Sequence, residues 1–487
     1  MELLIFTGLG LCFLVACLAY RYLQIPSQDW MGIGCTIVVV SGSVIGRDFF
    51  AIEGPIPVTI DRILLGSMIG WWGWKLISGR QRHLPLNLLD IAVLLWISVL
   101  SISTLTHDWT TLGNMPASRL LFFNWMPVGL YFLARNVPIS ANTLRWLFGV
   151  MIGFGVYLAF VAIAETQGMQ SLIFPRYIMT SSFREFLGRA RGPFLNPVSN
   201  GLFLTVSFCC TLMLWPRTKS VKHRVAIVVL SLLFAAGAYL TLTRTVWLSL
   251  IAVCGLVIFL PSSRRQKGAM IVASTVLAIA LFPVVSEKIF SFKRDKEVSA
   301  ADMEISAQMR PMFAVVAWNM FQDRPWFGVG FGQYPDAKYP YLRDPKTGQP
   351  LTITRTLTQH NVFLAYLTET GLVGVMVLVG MLVVMLIVCR KVWLSNGLDL
   401  WARQAGLLGL VVLTVYLING MFHDVSIIPQ GHILLFLVLG FVNNILSRPT
   451  PFLKTLTTNG NELYEAQRGI EVEERRTRQS FAHNPIP

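Results

Sequence analysis

Charge is what this sequence has least of: 13% of its 487 residues are Asp, Glu, Lys or Arg, and 54% are hydrophobic. A soluble domain carries about 25% charged residues, so the composition excludes a soluble multi-domain protein and points to a polytopic α-helical membrane protein. Carboxylates are the scarcer sign, 25 against 40 basic residues, and no acidic cluster has the density a catalytic metal needs. The seven cysteines, Cys12, Cys17, Cys35, Cys209, Cys210, Cys254 and Cys389, all lie in apolar runs without metal-ligand spacing. They read as small buried hydrophobes and exclude a disulfide framework. No Ser-His-Asp arrangement, solenoid period or low-complexity tract stands out. No signal-peptide cleavage pattern is visible, so the first apolar run, Leu3–Tyr20, reads as a retained anchor.

What the chain has instead is a series of apolar stretches near the roughly twenty residues that cross a bilayer. They fall at 3–20, 31–46, 60–77, 88–105, 119–134, 145–165, 197–215, 225–242, 245–261, 268–285, 362–389, 403–422 and 428–446. The second is the least secure, so the expected fold is all-α and polytopic with about 12–13 transmembrane helices. Basic residues gather on alternate connections: Lys75, Arg80 and Arg82; Arg217, Lys219, Lys222 and Arg224; Arg264, Arg265 and Lys267; Arg390 and Lys391. Lys and Arg accumulate on the cytoplasmic side, which accounts for the net charge of +15 without invoking nucleic acid. Parity then places two long loops outside, Thr166–Asn196 and Ser286–His360. The expected organisation is membrane helices over 1–285 with the external loop 166–196, a large external cap over 286–360 before the third-last span, membrane helices over 361–448 and a charged, partly disordered cytoplasmic tail over 449–487. The cap is rich in aromatics and proline, which favours a folded element, and its stretch Met309–Gln322 reads as an amphipathic surface helix.

Function is therefore sought on the external side. Asn196-Pro197 reads as a helix start with proline at the first helical position, and Arg189 and Arg191 stand just before it. A helix N-terminus with guanidinium forks suits a phosphate-like anion; the bland alternative is contact with lipid phosphates. Arg244, in Thr243-Arg244-Thr245, sits in a turn between two apolar runs that is too short to be a loop. An arginine at membrane depth is a functional hypothesis by default, with snorkelling to the interface as its rival. Thr358-Gln359-His360-Asn361 opens another external helix, which Thr358 or Asn361 would cap, and Gly371 and Gly374 give it a small-residue face for close helix packing. His360 is placed to move a proton near neutral pH. Gly328-x-Gly330-x-Gly332 lacks a following Lys-Ser/Thr and reads as a tight turn rather than a nucleotide loop. Arg310 and Asp323 are candidates to line the same cavity.

Together these stretches resemble the O-antigen ligase and polymerase superfamily of bacterial envelope glycosyltransferases. The resemblance is carried by His360-Asn361, nine residues and Gly371-x-x-Gly374, by the Arg189–Pro197 turn, by the Leu-Thr-x-Arg-Thr turn around Arg244, and by Asp-Arg-Pro-x-x-Gly-x-Gly at 323–330. It covers roughly 180–430 by motif and the whole chain by architecture, with the possible thirteenth span as a departure. It implies transfer of a glycan from a polyprenyl-diphosphate (undecaprenyl diphosphate) carrier to a lipid or glycan acceptor at the periplasmic face of the inner membrane, in surface polysaccharide biosynthesis. The implied mechanism is metal-independent, needs no cofactor and is inverting. Arg191 and Arg244 would hold the diphosphate, His360 would act as general base or orient the acceptor, and Arg189, Asn361, Arg310 and Asp323 would contact substrate. The sequence leaves ligase, polymerase and protein glycosylation open. A transporter expects midplane substrate groups, broken helices and inverted repeats; Asp90 and Glu165 are the buried candidates, both near span ends, and no repeat is visible. A structural scaffold would have no need of external arginines.

Overall fold

The computed structural model describes residues 29–46, 49–52, 58–81, 83–109, 115–180, 186–263, 265–268, 300–345, 347–348, 350–355 and 358–453. The expected spans at 3–20 and, but for its first residue, 268–285 lie outside them, as does the tail beyond 453. Every other expected span falls on a helix: α1 (Trp30–Val44), α2 (Ile60–Ile77), α3 (Leu88–Leu105), α4 (Pro116–Leu120) continuing through a π-turn (Leu121–Trp125) into α5 (Met126–Asn136), α6 (Ala141–Thr166), α7 (Pro197–Leu212), α8 (Val221–Leu240), α9 (Arg244–Phe259), α11 (Val362–Leu394), α12 (Leu400–Gly420) and α13 (Pro429–Ser447). α10 (Ala300–Asp323) belongs to the long loop before α11. Among the described residues seven helices are long and apolar enough to cross a membrane, and α1 and α9 are shorter apolar helices. The protein is an all-α polytopic membrane protein; one two-residue hairpin, β1 (Ala51–Ile52) with β2 (Val58–Thr59), pairs Ala51 with Thr59 antiparallel.

Hydropathy finds the spans but does not rank them by depth. The apolar windows of α7, α12 and α13 are 83%, 72% and 78% buried within the protein, that of α8 only 28%. The first three therefore form the centre, with α3, α5, α6 and α11 packed around them. Small residues set the closest approaches: the Val246 side chain of α9 packs directly on Gly201 of α7, where a Cβ would overlap it.

The two ends of the bundle differ in chemistry. One end carries Lys75, Arg217, Lys219, Arg224, Arg390 and Lys391 and is called the basic end. Three helix starts there are capped by side chains: Asn87 accepts from the Leu89 and Asp90 N–H groups, Ser140 from Asn142, and Asp399 from Ala402, while α1 and α8 start without a side-chain cap. The opposite end bears the starts of α7, α9 and α11 and the 300–360 segment, and is called the site end. There α10 buries Phe313, Val316, Ala317 and Met320 on one face while Trp318 is half exposed. That helical spacing makes it amphipathic, as the Met309–Gln322 pattern implies, and the helix extends further than that stretch at its start. The burial packs it on α11 and on Val329, Tyr334 and Leu351.

Candidate functional site

Asn196 caps α7 through its side chain, accepting from Val198 N–H at 2.8 Å and Ser199 N–H at 3.3 Å, with Pro197 at the first position. The start is as the sequence implies, though two of its first-turn donors are taken by the cap itself. α9 begins at Arg244 without a side-chain cap from Thr243. Because Gly201 lets α7 and α9 pack so closely, two helix N-termini lie side by side, and their dipoles raise the local potential together. Ser199 and Thr245, in the first turns of these helices, each bury a hydroxyl without a hydrogen-bond partner; buried polar groups of this kind are uncommon in native proteins.

The segment before α7 is stitched to the start of α9. The Arg189 side chain is 2% exposed and donates from Nε to the Thr241 carbonyl at 3.1 Å and from Nη2 to Thr243 Oγ1 at 2.5 Å. Ala190 N–H donates to the Leu240 carbonyl at 3.0 Å. Arg189 thereby shapes the turn that presents Arg244, which is exposed. Arg191 is held differently. Its Nε pairs with Glu165 Oε1 at 3.0 Å, its Nη2 donates to the Ile178 carbonyl at 2.7 Å, and the main-chain N–H groups of Arg191 and Gly192 donate to Glu165 Oε2. Much of its donor fork thus braces the 165–192 loop.

A chain of contacts continues from α9 to His360. Asn419, at the end of α12, donates to Ser249 of α9 at 3.0 Å. Two residues on, the Met421 carbonyl accepts from Asn361 Nδ2 at 2.8 Å. Asn361, rather than Thr358, caps α11, accepting from Phe363 and Leu364 N–H. His360 is half-buried, its ring centroid 5.2 Å from that of Phe313, and its φ is +49°. That left-handed backbone costs a non-glycine residue roughly 1–2 kcal/mol, a strain that native proteins keep mostly at functional positions. Asp323 ends α10 on the exposed surface and accepts from the Tyr341 hydroxyl at 2.8 Å. Desolvation, with that hydrogen bond added, pushes the Tyr341 phenol up. Arg310 lies on α10 just before Pro311.

Gly371 and Gly374 correct the expectation of a helix-packing face. Gly371 has φ +65° and ψ −162°, so α11 is broken there, and a Cβ would lie 2.4 Å from the Trp326 backbone. A Cβ at Gly374 would instead meet Thr370 of the same helix. What approaches is the other glycine motif. Val329 and Gly330 N–H donate to the Thr368 and Glu369 carbonyls at 2.9 Å each, and Leu372 and Val373 N–H donate to the Pro325 and Trp326 carbonyls at 2.8 and 3.2 Å. The 325–330 turn mends the break with the hydrogen bonds the helix gives up. Gly328, at φ +67°, has Thr368 O 2.5 Å from where a Cβ would stand, so glycine is required on both sides of the clasp.

At this clasp lies a cluster the sequence reading missed. Glu369, 3% exposed, pairs with Arg119 Nη1 at 3.0 Å; Arg119 Nη2 donates to Ser426 Oγ at 2.9 Å and stands 3.9 Å from Asp424 Oδ2. A signal was present: Glu369 is the only charge between His360 and Arg390, and a carboxylate inside a membrane helix marks function or an obligatory partner. Asp90 and Glu165 are likewise paired, with Arg135 and Arg191.

The fold and this end define a polytopic membrane protein with cationic helix starts and a strained histidine. Residues 229–379 match the family model of the O-antigen ligases, a segment running from α8 into α11 that contains Arg244, His360, Glu369 and both glycine motifs. The match covers this segment of the chain and makes it similar to the O-antigen ligases, the family that the sequence motifs resemble. No curated protein matches the chain.

Proposed function

We propose that the protein is an O-antigen ligase-like transferase that moves a glycan from a polyprenyl-diphosphate carrier to an acceptor hydroxyl, at the periplasmic face of a bacterial inner membrane. The observation that carries this reading is the pairing of the α7 and α9 N-termini, bound together by Arg189 and linked through Asn419–Met421 to the His360–Asn361 start of α11. Arg244 and the two dipoles would take the diphosphate and the charge that grows on it as the glycosidic bond breaks. Arg189 and Arg191 hold the loop that frames this site, and their charges add positive potential. His360 would accept the acceptor hydroxyl's proton. This charge set lets the reaction run without a metal. Asn361 fixes the histidine's helix start, while Asp323 and Arg310 sit on the α10 side of the same loop system. The basic end faces the cytoplasm on this reading.

One observation favours the transporter alternative, because a broken helix with a buried carboxylate is what such a protein expects. Here, however, the break is filled by the 325–330 turn and Glu369 is paired with Arg119, so neither is open to a substrate. The deciding assay uses purified protein with undecaprenyl-diphosphate-linked glycan and separate acceptors, without ATP and with chelator. Release of undecaprenyl diphosphate with glycan on a core lipid makes it a ligase; growth of the carrier-linked glycan makes it a polymerase. No turnover with any acceptor, together with carrier-glycan crossing a vesicle membrane, overturns the transferase.

A further inference from the structure

The site end also holds a cavity of about 220 Å³ between α1, the start of α2, the π-turn and the start of α13. Its walls are amphipathic. Phe122 and Phe123 come from the π-turn, where one extra residue per turn swings two consecutive aromatics onto this wall. His432 fixes that turn, because its Nδ1 bonds the Phe123 carbonyl at 2.8 Å and so carries the proton, leaving Nε2 to accept from Tyr416 at 2.9 Å. Facing the aromatics are Thr59, Asp61, Arg62 and Gln430. The Arg62 guanidinium lies 3.3 Å over the Phe122 ring. Thr59 is 1% exposed, and its hydroxyl and one Asp61 oxygen are buried with no hydrogen-bond partner among the described residues.

We infer that this cavity is a saccharide subsite of the proposed transferase, an inference that rests on the transferase reading for its place in a reaction. A pyranose offers C–H faces to aromatic rings and hydroxyls that both donate and accept. The orphan carboxylate oxygen needs a donor and the Thr59 hydroxyl takes either role, so ring hydroxyls satisfy both. A prenyl chain would leave these polar atoms unsatisfied in a desolvated site. The location fits as well. Pro193 and Phe194, just beyond Arg191, form part of the wall, and Gln430 precedes Gly431, whose Cβ position is 3.7 Å from Leu202 of α7. The cavity therefore adjoins the paired helix starts, within reach of a sugar attached to a carrier or of the sugar that receives it.

The test compares binding of three probes to the full-length protein in detergent: undecaprenyl diphosphate, undecaprenyl-diphosphate-linked N-acetylglucosamine, and a soluble N-acetylglucosamine oligosaccharide. Variants are Thr59→Val with Asp61→Asn, and separately Phe122→Leu, each accepted only if its melting temperature stays near wild type. The expected result is that both variants lose at least about tenfold affinity for a sugar-bearing probe and keep wild-type affinity for the bare carrier. Loss on the linked probe assigns the donor sugar, and loss on the free oligosaccharide assigns the acceptor. Unchanged binding of both sugar probes, or equal loss on the bare carrier, overturns the saccharide subsite. Failure of the wild type to bind the bare carrier counts instead against the transferase reading, and the oligosaccharide arm still tests the cavity.

Discussion

The protein buries arginine–carboxylate pairs toward both ends of its bundle, and two of them, Arg135–Asp90 and Arg119–Glu369, are built differently. At the basic end Arg135 and Asp90, both fully buried, stand 2.6 Å apart. Asp90 also accepts from Tyr131 at 2.7 Å, Asn443 at 3.1 Å and the Asn87 N–H at 2.7 Å, while Arg135 donates to the Pro85 carbonyl at 2.7 Å. This network joins unbroken helices and a regular cap. At the site end Arg119–Glu369 sits on a broken helix, beside two glycine motifs and a 421–428 connection that holds one short 3-10 turn, Val425–Ile427. A charge stays buried only when its partners are fixed. The first network uses that rule to close a corner; the second uses it to hold an irregular backbone whose other end is His360.

The largest effect expected separates chemistry from scaffold. Arg244→Ala and His360→Ala should each lower glycan transfer at least about 100-fold, the scale of losing one preorganised transition-state contact, with membrane insertion and melting unchanged. Arg244→Lys should stay poor if a bidentate grip matters; wild-type transfer by His360→Ala would remove the general-base role. Arg191→Ala should cost stability as well, because it leaves Glu165 with main-chain donors only and takes the guanidinium from the Ile178 and Thr180 carbonyls.

The next effect tests the two networks directly. Asp90→Ala strands the buried Arg135 at about 3–5 kcal/mol, whereas Glu369→Ala leaves Arg119 beside Asp424 and Ser426 and should cost less; both are measurable by thermal unfolding in detergent. Of the protein that still folds, Asp90→Ala should keep its turnover per molecule, whereas Glu369→Ala should lose it because the clasp beneath His360 loosens. Equal turnover in both would show that the clasp does not position the histidine. Gly371→Ala should fall between them, since its backbone region is nearly closed to side chains at about 1–3 kcal/mol and Trp326 blocks the Cβ.

The smallest effect concerns Gly374. Its Cβ would overlap both the hydroxyl and the Cβ of Thr370, so the 370–374 turn of α11 must shift, offset in part by about 1 kcal/mol of helix propensity that alanine gains. Because both atoms belong to its own helix, Gly374→Ala should cost some stability and change transfer per folded molecule little. A loss as large as that of Gly371→Ala would mean that the second glycine of the motif is packed against more than its own helix.

The division between sequence and tertiary structure follows the range of each interaction. Hydropathy, the Asn196-Pro197 start, the Asn361 cap and the short turn before Arg244 depend on neighbours a few residues apart, and they are legible in the chain. The His360-Asn361 and Gly371-x-x-Gly374 pattern carried the family resemblance for the same reason. Arg119 with Glu369 spans 250 residues, Asn443 with Asp90 353, and Asn419 with Ser249 170. No local pattern announces such partners. The Gly328–Gly332 and Gly371–Gly374 stretches each read separately as a turn and as a helix face, yet they are two halves of one clasp, since a helix break becomes stable only where another backbone supplies its hydrogen bonds. The sequence by itself determined the spans that fall on described helices and the Asn196 start of α7, and it named candidates for binding an anion or moving a proton. Tertiary structure alone decided that Arg191 braces a loop, that Glu369 holds a break, and that an amphipathic cavity adjoins the paired helix starts, because burial and partner choice depend on which helices meet.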